Sequence, residues 1–318
     1  MRIATDNTDL CRILGEWVRE HFPSIELLPP ERFTEADLLI CGDFSYKHEQ
    51  FDGIRLFLTG ENHAPNLNLY DYCLTHEPIE SDRCHRLPYW LFNALTTPKH
   101  RRELSQEARP PYTPESLAAE KRDFCAFVCR NPVCRKRNSI VRNLNKQRRV
   151  SCGGPLMNNI GYRVEDKEAF MHGHLFAIVY ENESHRGYQT EKLPDALRAR
   201  TIPVYWGNPD VASEFNRQAF ISADDFPNEK ALREHLLALA EDPARMVTIL
   251  NAPPLADPSI IDRAEQELLA WFSAIFARGP HAVRRTRLQR LLSVLERFYG
   301  HGLFRTLRRI SRSLRNKN

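Results

Sequence analysis

Short apolar runs, each closed by glycine and polar residues, recur through the first hundred positions. "ADLLICGDF" (36–44), "IRLFLTGEN" (54–62) and "DYCLTHE" (71–77) have strand length and little alternation, the pattern of strands buried on both faces. Separated by helical or loop connections, they predict a parallel α/β sheet whose working residues gather in the loops after the strands' C-terminal ends. From 95 to 120 the chain turns polar and proline-rich, "LTTPKHRRELSQEARPPYTPESLAAE", and reads as a linker or excursion between domains. The α/β rhythm then restarts. "DFCAFVCRN" (123–131) reads as a strand and "RKRNSIVRNLNK" (135–146) as a helix with Ile140, Val141 and Leu144 inward. "RVSCGG" is a strand, "KEAFMHGH" a short helix, "LFAIVYEN" a strong buried strand, "TEKLPDALRAR" a helix and "TIPVYWG" a strand. "AFISADDF" is a further strand, with a helix from about 228 to 241.

The expected organisation is two α/β domains, residues 1–112 and 113–280, facing each other across a ligand cleft. Residues 281–318 form a tail in which Leu288, Leu291, Leu292, Leu295, Phe298 and Tyr299 recur at helical spacing, with arginines on the other side. The tail carries about +10 of a chain whose formal net charge is +4, so residues 1–280 carry about −6. A basic amphipathic helix of this kind lies in the headgroup region of an anionic membrane, and the expected membrane-binding stretch is 284–315. The alternatives are a terminal helix packed on the body or a solvated charge run. A non-catalytic nucleic-acid-binding role for the arginines fits poorly with the acidic body and the tail's apolar stripe; no nucleic-acid partner is expected. No run has the apolar length of a membrane span, and the N-terminus lacks the basic-then-apolar order of a signal peptide. The expected location is cytoplasmic, peripheral on the inner face of a bacterial plasma membrane. The eight cysteines include no CxxC pair, which predicts free thiols and leaves Cys125, Cys129 and Cys134 as a weak metal candidate beside a simpler role as small apolar filling of the strand "FCAFVC".

Candidate chemistry concentrates at "GYQTEKLPDAL" (187–197), where Thr-Glu-Lys precedes an apolar-periodic run. A helix start is an anion cradle, Thr190 is the expected N-cap, and Pro194 falls within the first turn, where a missing N–H is harmless. Arg137, Tyr188 and Lys192, with backbone N–H groups from Thr190 to Leu193, suit a leaving pyrophosphate without a metal. Glu191 would repel phosphate but accepts well from vicinal hydroxyls such as those of a ribose. The pair therefore reads as recognition of a nucleotide sugar. Glu61, directly after "LFLTG", is the candidate general base for an acceptor hydroxyl, with His63 as its rival. His85, His172 and His174 read as surface or packing histidines, and Asp224–Asp225 as a turn or cap rather than a metal-binding pair.

The segment "LFAIVYENESHRGYQTEKLPDALRARTIPVYWGNPDVASEFN" (175–216) resembles the donor-binding block of glycosyltransferase family 10, the fucosyltransferases, particularly bacterial α1,3/α1,4 members. "LTGENHAPNLNLYDYCL" (58–74) is similar to the family's acceptor-side motif, and "RNPVCRKRNSIVRNL" and "GGPLMNNIGYRV" also resemble it. The resemblance implies a GT-B fold of two facing Rossmann-like domains, acceptor mainly on the first and GDP-β-L-fucose on the second. It implies inverting, direct displacement onto a hydroxyl of a GlcNAc-containing or related glycan, lipopolysaccharide or O-antigen among them, with no cofactor and a divalent cation at most stimulatory. By position, Glu61 matches the family's base, Arg137 and Lys192 its β-phosphate ligands, and Asn182, Tyr188 and Glu191 other donor contacts. Arg135 and Lys136 stand beside Arg137 and compete for its assignment, and a different GDP-sugar donor is the nearest alternative function. The animal members' membrane anchor and disulfide framework and some bacterial members' heptad repeats have no counterpart here.

Overall fold

The first six strands are short and all parallel. The computed structural model describes residues 1–43, 45–105 and 110–280. In order these strands and their helix are β1 (Arg2–Thr5), α1 (Asp9–His21), β2 (Glu26–Leu27), β3 (Leu38–Cys41), β4 (Ile54–Leu58), β5 (Tyr72–Thr75) and β6 (Cys84–Arg86). They form one sheet in the order β2-β1-β3-β4-β5-β6. β3 and β4 are buried along their whole length, as unalternated apolar runs require. Arg55 interrupts β4 and is itself buried; its Nε and Nη2 donate to the Phe51 carbonyl at 3.0 and 2.6 Å, so its polar atoms are satisfied inside the layer. In α1 the buried Cys11, Leu14, Gly15, Trp17 and Val18 make one stripe against the sheet.

The second sheet is built by α2 (Tyr89–Thr96), α3 (Pro98–Leu104), α4 (Pro114–Glu120), β7 (Asp123–Phe127), α5 (Arg135–Asn145), β8 (Val150–Cys152), α6 (Lys167–His172), β9 (His174–Ile178), α7 (Lys192–Arg198), β10 (Ile202–Tyr205) and β11 (Ile221–Ser222), followed by α8 (Glu229–Leu239), α9 (Pro243–Leu250) and α10 (Ile260–Ala277). Its order is β11-β10-β9-β7-β8, again all parallel. Its core joins Phe124, Phe127, Phe176, Ile202 and Val204 from the strands to Ile140, Val141 and Leu144 of α5, the three positions expected to point inward.

Packing divides the chain into Met1–Pro88 together with the segment that begins at Ala264, and Tyr89–Arg263; the sequence reading sets the boundaries at 112/113 and 280/281. From Ala264 onward α10 packs with the first sheet, its Phe272 ring 6.3 Å from Trp17 and its Trp271 edge-on to Tyr72. The proline-rich stretch expected as a linker is instead partly helical. Pro98 and Pro114 each sit at the start of a helix, where a proline lacks only an N–H that would go unused. Thr113 and Ser116 close a capping box at α4, and Leu104, Tyr112 and Leu117 are buried. Among the described residues no helix is long and apolar enough to cross a membrane. The basic stretch 284–315 lies outside the described residues.

Candidate active site

Three loops meet beyond the C-terminal ends of β7, β8 and β9. The loop after β8 approaches that after β7 through Gly154, where a Cβ would lie 2.3 Å from the Cys129 carbonyl oxygen, so only glycine fits. Leu156 N–H then donates to that carbonyl at 2.9 Å. Arg137, in the first turn of α5, points back under this junction and is 1% exposed. Its Nη1 donates to the Tyr180 carbonyl at 3.1 Å and to Asn182 Oδ1 at 3.0 Å, and its Nη2 to the Asn131 carbonyl at 2.6 Å. Its Nε is buried with no hydrogen-bond partner among the described residues. Arg135 and Lys136 do not take its place: both are exposed, and Lys136 lies over Trp206 and pairs with Asp224.

Lys192, the first residue of α7, lines the same cavity as Arg137, with Lys167 as a third cation; Phe127, Met171 and Tyr180 are among its other walls, and no acid among the described residues lines it. A buried carboxylate underlies the lysine. Glu181, 0% exposed, accepts from Lys192 Nζ at 2.9 Å and, through its other oxygen, from the Thr190 N–H at 2.8 Å. Thr190 Oγ1 lies 2.8 Å from both Glu181 oxygens and from Lys192 Nζ. Burial opposes the charge on Lys192, but the carboxylates of Glu181 and Glu191 outweigh it and hold the ammonium well above the ordinary lysine range. Thr190 is therefore not the N-cap. Glu191 occupies that position without a side-chain cap bond, and the Thr190 N–H that the sequence reading assigned to a phosphate cradle is spent on Glu181.

Glu191 and Lys192 are adjacent in sequence yet line different recesses. Glu191 borders an open polar groove of about 540 Å³ with Asn93, Glu165, Asp195 and Arg198. Its charge is opposed by burial but favoured by Lys192 and Lys167, each with Nζ 3.9 Å from Oε1, and its carboxyl is held below the usual range. Tyr188 is buried three residues before Glu191 and lies near Lys192. Thus Arg137, Asn182, Glu191 and Lys192 come together, with Tyr188 at their edge. Glu181 was not a sequence candidate; the signal was an acid ending the buried run "LFAIVYE", a position that demands a partner.

In the first unit, Glu61 and His63 follow β4, and Asp43 follows its neighbour β3. Glu61 is exposed, and no hydrogen bond or ion pair to its carboxylate is present among the described residues. Its backbone is fixed: its N–H donates to Thr59 Oγ1 at 3.0 Å and its carbonyl accepts from the His63 N–H at 2.7 Å. His63 Nδ1 lies 2.6 Å from Asp43 Oδ1, while the Thr59 hydroxyl donates to Asp43 Oδ2.

The remaining candidates are structural. His174 is buried and His85 half-buried, its imidazole pushed down to about 4 by burial. His172 is exposed and lies 3.3 Å from Glu120. Asp224 and Asp225 close a short 3₁₀ turn capped by Ser222, Asp224 pairing with Lys136 and Asp225 with Arg217. Cys125 lies inside β7, whereas Cys129 falls past its end and is half-buried, and with Cys134 they form no ligand group among the described residues.

Comparison with known proteins bears on the family and the fold. The model of the α-(1,3)-fucosyltransferase FucT N-terminal domain matches residues 27–93, and that of glycosyltransferase family 10 (fucosyltransferase) C-term matches 117–251. The chain is 34% identical over 202 residues to the α-(1,3)-fucosyltransferase FucT of Helicobacter pylori, which covers 55% of this chain and 41% of that protein; it thus spans less than half the length of that relative. A solved α1,3-fucosyltransferase with GDP-fucose superposes with a TM-score of 0.66 at 27% identity, covering 86% of this chain and 90% of the other. Anabaena HepE in complex with UDP-glucose, 10% identical with a TM-score of 0.54 over 86% of this chain and 99% of its own, shares the GT-B-like fold alone. Two models of one family cover more than half of the sequence, and the acid-lysine pair and its arginine lie within the C-terminal match: the chain belongs to glycosyltransferase family 10, the fucosyltransferases.

Proposed function

We propose that the chain transfers L-fucose from GDP-β-L-fucose to a hydroxyl of a GlcNAc-containing glycan, with inversion and without a metal. The observation that carries this reading is the cavity at the end of the second sheet, lined by Arg137, Lys167 and Lys192 with no acid among the described residues, where the Arg137 Nε has no partner. A buried guanidinium with an unused donor, beside two partly exposed ammonium groups, favours an anion, and favours it most when negative charge grows on a departing diphosphate. Arg137 and Lys192 hold the β-phosphate, Glu191 takes ribose hydroxyls from the side of the polar groove, and Asn182 and Tyr188 complete the donor contacts. Glu61 removes the proton from the acceptor hydroxyl as that oxygen bonds to the anomeric carbon; the bond from this carbon to the β-phosphate oxygen breaks, and GDP leaves with the electron pair. Glu61 suits a base because its backbone is fixed while its carboxylate is uncommitted. Residues 1–112 are the acceptor side and 113–280 the donor side of this scheme. Lipopolysaccharide or O-antigen on the inner face of a bacterial membrane is the acceptor in this reading, reached by attachment through 284–315.

Incubating the protein with a panel of GDP-sugars and glycan acceptors, and measuring released GDP together with product, tests the donor. Transfer from GDP-fucose is expected. Transfer from another GDP-sugar with none from GDP-fucose refutes the assignment.

A further inference from the structure

The first sheet carries a second polar device beside Glu61, and its geometry is more developed than that of the proposed base. Three side chains from two adjacent strand ends form a chain of hydrogen bonds: the Thr59 hydroxyl to Asp43 Oδ2, and Asp43 Oδ1 to His63 Nδ1 at 2.6 Å. The Asp43 side chain is 9% exposed and that of His63 26%. A carboxylate only accepts, so the proton shared with Asp43 resides on Nδ1, and in the neutral imidazole Nε2 is the lone-pair acceptor. That nitrogen has no partner among the described residues. The loop after β3, which carries Asp43, is braced from below, because Asp6 at the end of β1 accepts from the Gly42 N–H at 2.6 Å and from Thr8. A surface histidine packed for structure alone has no need of a buried carboxylate that is itself hydrogen-bonded. This arrangement fixes both the ring's orientation and its tautomer.

We propose that Thr59, Asp43 and His63 form an acceptor-side site in which His63 Nε2 accepts a hydrogen bond from a sugar hydroxyl other than the one that reacts. The proposal rests on the reading of Glu61 as base. Residues two apart in a chain are separated by about 7 Å at most, roughly the width of a pyranose ring, so Glu61 and His63 can address two hydroxyls of one sugar. Thr59 ties the pair together, since its oxygen accepts from the Glu61 N–H while its proton goes to Asp43. His63 is thereby a positioning residue: it orients the acceptor and lets Glu61 take the proton.

The test uses the full chain with GDP-fucose and N-acetyllactosamine, together with the acceptor's monodeoxy analogues. His63→Phe is expected to raise the acceptor KM about tenfold or more, leaving the donor KM unchanged. One deoxy analogue is expected to be a poor substrate for the unaltered protein by roughly 10–100-fold and to carry no further penalty in His63→Phe, because the lost hydroxyl and the lost imidazole are the same interaction. Asp43→Asn supplies an amide donor to Nδ1 and so moves the ring proton to Nε2; it is expected to reproduce the acceptor defect in a folded protein. Deoxy penalties identical in the variant and the unaltered protein overturn the proposal. So does a loss confined to kcat that added imidazole restores, which makes His63 the base itself. If the unaltered protein moves fucose to no acceptor while binding another GDP-sugar, the functional reading fails, and this proposal fails with it.

Discussion

The C-terminal edges of the two sheets are built by the same topology and equipped in opposite ways. The first presents the acids Asp6, Asp43 and Glu61 beside His63, with the Glu61 carboxylate exposed and uncommitted. The second presents Arg137, Lys167 and Lys192 around one cavity, with Arg137 and the carboxylate Glu181 fully buried. The contrast fits what each edge would have to do in the proposed reaction. A base must give up water and take a proton, which a mobile exposed carboxylate does readily. A site for a diphosphate must hold cations in place before the ligand arrives, and buried cations persist only when acids and carbonyls compensate them. Glu181 supplies that compensation to Lys192, and the carbonyls of Tyr180 and Asn131 supply it to Arg137.

The sharpest break between the edges is expected from Glu61→Gln. Turnover falls by about 10²–10⁴, while the KM for GDP-fucose and the melting temperature stay at their unaltered values; steady-state kinetics with a thermal melt reads both. On the second edge activity and stability fall together. Lys192→Ala leaves Glu181 buried without its ammonium partner, and because Thr190 still bonds it the expected loss is about 2–3 kcal/mol in denaturant unfolding, along with weaker GDP binding. Lys192→Met combined with Glu181→Gln removes both charges, so it recovers most of the stability but not the GDP affinity. Normal GDP affinity in that double variant removes Lys192 from the phosphate site.

The smallest expected effect on activity concerns Lys121, buried ahead of β7 and remote in role from either edge. Burial pushes its ammonium down to about 7, with Glu120 opposing and Arg200 adding to the shift. Its Nζ donates to the His172 carbonyl. Unfolded, a lysine keeps its proton to about pH 10.4, so between pH 7 and that value the unfolded chain binds more protons and stability rises with pH. Lys121→Met is expected to flatten that rise by up to about 3 kcal/mol, measured by chemical denaturation at pH 7 and pH 9.5.

The sequence by itself determined most of the strands and named most of the residues proposed for the site. Strands buried on both faces read as near-continuous apolar runs, so "LLIC", "IRLFL" (despite Arg55) and "FAI" were legible from the local pattern. Arg137, Asn182, Glu191 and Lys192 were named from helix-start chemistry and from the family's motifs. The local pattern misread punctuation. Prolines 98 and 114 open helices instead of marking a linker, because the first turn of a helix tolerates them and buried Leu104 and Leu117 anchor the two helices they begin. Thr190 has the composition of an N-cap, yet its hydroxyl and N–H turn to Glu181, nine residues earlier in the chain.

Only the tertiary structure decided which charges answer which. Glu181 reaches Lys192, Asp43 reaches His63 and Arg137 reaches the loop after β9 across 11, 20 and 43 residues of chain. Helix and strand periods order neighbours within a few positions, whereas these pairings depend on how parallel strands stack side by side, and the need to compensate each buried charge is met by whatever that stacking brings near.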